Sequence, residues 1–151
     1  MTDENTLPKL LQGLQDFSHD LLKSAGGFPP FGGTVSSSGE FGLVVNMNDV
    51  SKTTAEANLQ YIIGALQSEA GKNDAMGVAF TVLMQSPGEA NQTAVIYTLH
   101  VRGADPIDII EPYAHDKSGQ VQYGEYLRRP SPLKVFADDR PLTSKGWPRA
   151  N

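Results

Sequence analysis

The chain has 151 residues, no cysteine, and 12 Lys and Arg against 17 Asp and Glu, a formal charge of −5. A domain of this length buries enough apolar surface to fold without cross-links, and the missing cysteines exclude disulfides, thiolate metal sites and a cysteine nucleophile. The negative charge argues against general nucleic-acid binding, which needs a basic footprint.

The start, MTDENTLPKLLQGL, is acidic and polar, unlike a secretory signal. No segment approaches the roughly 18 apolar residues of a membrane helix. A soluble, cytoplasmic protein without membrane contact is expected.

Leu7, Leu10, Leu11, Leu14, Phe17, Leu21 and Leu22 recur at helical spacing and predict a first helix over Leu7–Ala25. Pro8 suits its first turn, and Gly26 and Gly27 suit a left-handed cap. Pro29 and Pro30 then force an extended chain. Two short strands follow, about Gly32–Ser36 and Glu40–Met47, separated by the turn SSSGE.

Thr53 and Glu56 form a T-x-x-E capping box ahead of a second helix. Ala55, Leu59, Ile62, Ile63, Leu66 and Ala70 make its buried stripe, and Gly71 stops it. Strands are then expected at Met76–Gln85, Thr93–Arg102, IDIIEPYAH and QVQYGEYLR, joined by short connections that imply an antiparallel meander. In TAVIYTLHVR, Val95, Tyr97, Leu99 and Val101 point one way and Ile96, Thr98, His100 and Arg102 the other.

The expected fold is therefore α+β. Its antiparallel sheet has five or six strands, with two helices packed on one face, in the order α-β-β-α-β-β-β-β. Residues 1–136 form one domain, and residues 137–151 an irregular basic tail. Residues 1–127 hold 6 Lys and Arg against 15 Asp and Glu, whereas residues 128–151 hold 6 against 2. The simpler reading of that asymmetry is a tail docked on its own acidic body; the sharper one is a tail for an acidic partner.

The stretch GFPPFGGT, residues 27–34, matches the phosphate-loop pattern G-x-x-x-x-G-K-[ST] except that Gly33 replaces the lysine. A phosphate loop follows a strand and opens a helix; here a helix precedes and a strand follows. The two prolines also remove N–H donors from the cradle. The stretch reads as an elbow anchored by Phe28 and Phe31.

His19 lies between Asp16 and Asp20 and reads as a solvent-facing helix residue. His115 beside Asp116 reads as turn chemistry. The histidines lack H-x-x-x-H or H-x-H spacing, so neither a metal nor another cofactor is expected. Pairing across Asp116–Gly119 brings Glu111 and Tyr113 toward Tyr123 and Glu125. With His100 these five residues form a candidate polar cluster for acid–base work, against the plainer alternative of an exposed sheet face. Trp147, the only tryptophan, either docks on the domain or anchors a partner.

Several segments together resemble a group of small uncharacterised bacterial proteins with a G-F-x-P-F-G elbow after an N-terminal helix. They are GGFPPFGGTVSSSGEF, TAVIYTLHVRG, IDIIEPY and VQYGEYLRRPSPLKVF, spread over Leu7 to Phe136. Pro29 departs from the more usual aromatic of that elbow. The resemblance implies the α+β fold and brings no established activity. Small domains of this kind also occur among immunity proteins that neutralise bacterial toxins. The element order is similar, at the level of topology, to the roadblock and profilin-like class.

The function expected is non-catalytic protein binding or self-association. Toxin neutralisation is a special case, and a small enzyme on the sheet face is the alternative.

Overall fold

A computed structural model of the chain describes residues 5–46, 54–84, 92–133 and 135–136. The first helix, α1, spans Thr6–Ala25 and buries Leu10, Leu14 and Leu22 along its stripe. Full burial of each leucine contributes about 1.5–3 kcal/mol. Gly26 ends it at φ 78, with its N–H bonded to the Leu22 carbonyl; a side chain there would be strained.

The elbow leads into β1, Phe31–Ser36, which turns back as β2, Phe41–Val44. Phe31 is buried against Phe17 and Phe28, whereas Phe28 is only half-buried. Gly32 and Gly33 are paired inside β1. A Cβ on Gly32 would meet Ile62, and one on Gly33 would meet Leu14. These glycines serve close packing on both sides of the strand rather than an anion cradle.

The second helix, α2, spans Ala55–Ser68. Its cap is Thr54, whose side chain accepts from the Ala57 N–H at 3.0 Å. The capping role thus falls one residue later than the expected Thr53 and Glu56 box, and Thr53 lies outside the described residues. A short turn, Ala70–Lys72, leads to β3, Asn73–Met84. Then come β4, Gln92–Val101, and β5, Ile107–His115.

The expected last strand, QVQYGEYLR, is two pieces: β6, Val121–Tyr123, and β7, Leu127–Pro130. The sheet runs β2-β1-β3-β4-β5-β6, every pair is antiparallel, and β7 also pairs with β5. The α+β class and the element order are as the sequence predicts, with one strand more because of the split.

The placement of the helices differs from expectation. Gly77 of β3 faces Leu10 and Leu14 of α1, while its neighbours Met76 and Val78 pack with Ile62, Ile63 and Leu66 of α2. Adjacent residues of a strand point to opposite faces, so α1 and α2 cover opposite sides of the sheet. The reason is topological. β2 and β3 both run antiparallel to β1, hence parallel to each other, and α2 carries the chain between them across one face. That leaves the other face to α1.

Covering both faces explains why β4 is buried without a break from Ala94 to His100. The split of side chains read from TAVIYTLHVR holds; the sheet with a single covered face does not.

Candidate functional site

Helix α1 and the β5–β6–β7 edge meet over one buried carboxylate. Gln15, Ser18 and His19 lie three and four residues apart and so share a face of α1. Tyr97 on β4 and Glu111 on β5 point toward that face. Tyr97 donates to Glu111 Oε1 at 2.9 Å, and its oxygen lies 2.6 Å from Ser18 Oγ. His19 Nε2 reaches the same Glu111 oxygen at 2.8 Å.

The two partners of this last bond are unlike. Glu111 is 1% exposed, while the His19 side chain keeps 33% of its surface in solvent. The imidazole stacks on Tyr123 with ring centres 4.1 Å apart. A buried carboxylate costs several kcal/mol unless it is paired and hydrogen-bonded, and α1 supplies the pairing. Burial pushes the Tyr97 hydroxyl far above its ordinary range, with the charge of Glu111 adding to the shift. Tyr123 is also raised, by burial first and by Glu111 second.

The edge beyond Glu111 carries a β-bulge. β6 pairs Tyr123 with Tyr113, and β7 pairs Leu127 with Ile110. Three residues, Gly124, Glu125 and Tyr126, therefore oppose two, Glu111 and Pro112. Gly124 donates its N–H to the Pro112 carbonyl at 2.8 Å. The inserted residue lifts the strand away from β5. The space opened is a depression of about 480 Å³ lined by Glu111, Tyr123, Gly124, Glu125 and Tyr126. The Gln15 amide donates to the Tyr126 hydroxyl, which ties this lining back to α1.

Of the five residues expected to cluster, Glu111, Tyr123 and Glu125 do come together here. Tyr113 is paired with Tyr123 in the register and sits buried beside them, its ring against His115. His100 does not join them, because strand alternation places it on the opposite face from Tyr97 and Glu111. There it is buried, and its Nδ1 accepts from the Val135 and Phe136 N–H groups at 3.2 and 3.0 Å. The histidine of the cluster is instead His19, which is not the solvent-facing residue expected.

Reasoning from the sequence missed His19, Gln15, Ser18, Tyr97 and Tyr126. One signal was available: Gly124 inside a strand pattern marks a bulge. The spacing of Gln15, Ser18 and His19 along the flank of the leucine stripe was another. His115 is the last residue of β5, paired with Val121, and the turn is built by Asp116 instead, which is held low by bonds from Ser118 and Gln120. Trp147 and the tail lie outside the described residues.

Among the described residues, no group of three or more His, Asp and Glu is placed to hold a metal ion. None of their helices is long and apolar enough to cross a membrane. No family model, curated protein or solved structure matches the chain.

Proposed function

We propose that the protein is a non-catalytic protein-binding module of the cytoplasm, and that it holds its partner at the bulged β6–β7 edge. The observation that carries this reading is a run of exposed large side chains around the depression. Tyr123 is 38%, Tyr126 52% and Leu127 53% exposed. Tyrosine supplies much contact area with few rotatable bonds and is enriched at the centres of interfaces. The bulge breaks the edge ladder, which disfavours indiscriminate strand pairing and leaves recognition to side chains. Toxin neutralisation is the case in which that partner is a bacterial toxin.

Affinity capture with the full chain tests the reading when variants are run beside it. A partner retained by the wild type and by Leu43→Ser, on the opposite sheet edge, is expected to be lost by the Tyr126→Ala, Leu127→Ser double variant. Retention by the double variant would place the interface elsewhere.

A second reading rests on the 2.8 Å contact between a half-exposed imidazole and a buried carboxylate. That pairing suits a general base, His19, held in orientation by Glu111. In this reading any hydrolytic turnover found with model substrates falls away in His19→Gln; equal turnover in both proteins would end it.

A further inference from the structure

The chemistry of the depression points to the kind of group it takes. We propose that it is a subsite for a cation, the guanidinium of an arginine on the partner protein. This rests on the binding reading above and adds the identity of the recognised side chain.

Glu111 forms the floor, and both of its hydrogen bonds fall on Oε1, from Tyr97 and His19. Its Oε2 accepts from no described residue and keeps contact with solvent, so it is open to a donor entering the depression that the residue lines. Two tyrosines, Tyr123 and Tyr126, line the space beside it, and the exposed Glu125 adds a second carboxylate.

This combination of aromatic walls and carboxylates matches a guanidinium better than other groups. The guanidinium is planar, carries five N–H donors and stacks on aromatic faces while its edge bonds a carboxylate. An ammonium is more strongly hydrated and has no flat face, so lysine ranks below arginine. The surplus of acidic residues over residues 1–127 favours the approach of a cation.

The test is an NMR titration of the full chain in low-salt buffer with Nα-acetyl-arginine amide. Nα-acetyl-citrulline amide, its neutral isostere, is the control. The arginine probe is expected to move the amide signals of residues 123–126. Citrulline should bind several-fold more weakly, and Glu125→Gln should lower the arginine affinity roughly two- to fivefold. Glu111→Gln disturbs the buried network, so Glu125→Gln and Tyr126→Leu carry the test.

Equal shifts with both probes, or no shift at these residues, would overturn the cation. Shifts that appear only when Arg140 and Arg149 are both replaced by glutamine would assign the depression to the chain's own C-terminal segment and overturn the partner. If the arginine probe fails while capture still depends on Tyr126 and Leu127, the binding surface stands and only the cation is lost.

Discussion

At the scale of single residues, Tyr97 is the keystone of the buried network. Replacing it with phenylalanine keeps the ring and removes a hydroxyl that serves both Ser18 and Glu111. Leaving buried polar groups short of a partner costs about 1–3 kcal/mol. Tyr97→Phe is therefore expected to lower stability by that amount in urea unfolding, and an unchanged midpoint would show the network to be idle. The pH dependence follows from the same hydroxyls. The folded state raises Tyr97 and Tyr123 above their ordinary 10.0. It thus holds their protons more tightly than the unfolded chain, and their contribution is fully present below pH 10 and declines as the pH rises beyond it. Tyr97→Phe should flatten the alkaline limb of the stability curve. The sequence exposed Tyr97 and Glu111 as residues of strands, but not their meeting. A carboxylate in IDIIEPY reads as surface, because only the third dimension supplies His19 from a helix 92 residues away.

At the scale of elements, α1 crosses β2 at Gly13. A Cβ there would lie 2.4 Å from the Phe41 ring. Helix propensity alone favours alanine over glycine by about 1 kcal/mol, yet Gly13→Ala is expected to destabilise, because the ring or the helix must shift. Thermal unfolding decides the sign, and a raised melting temperature would mean that Phe41 yields freely. The bulge can be probed in the same spirit. It sets Arg129 opposite Asp108, and Arg129 Nε bonds the buried carboxylate at 3.2 Å. Deleting Glu125 would leave two residues opposite two, keep Arg129 opposite Asp108 and close the depression. In affinity capture the deletion should abolish binding at the edge while the Arg129–Asp108 pair stands, whereas Glu125→Gln should only weaken binding. The helices and hairpins were legible because leucine spacing, prolines and turn residues are local signals. The bulge was nearly silent, since one extra residue changes register without changing composition, and Gly124 alone marked it.

At the scale of the molecule, two of the three apolar clusters among the described residues are held apart by the sheet. One lies under α1; the other lies under α2 and includes Val135 and Phe136. Alternation in β4 announced two faces, but nothing local in the sequence says which helix takes which. Phe136 is 1% exposed, packs on His100 at 5.1 Å, and lies under the Arg102 guanidinium. Phe136→Ala should cost about 3–5 kcal/mol, measured by chemical denaturation; a loss well under 1 kcal/mol would mean that the second cluster does not need it. The bond from Gln15 to Tyr126 joins residues 111 positions apart. The hollow beside Glu111 is thus walled by α1 and by the β6–β7 edge, and a chain that stops before Tyr126 lacks part of it. During synthesis Ser18 and His19 of α1 must wait for Tyr97 and Glu111, and Gln15 for Tyr126, before each finds its counterpart. Contacts of such long range slow folding. A local opening of β6 and β7 would dismantle the hollow and leave most of the sheet intact, so recognition follows the local stability of this edge rather than that of the whole sheet.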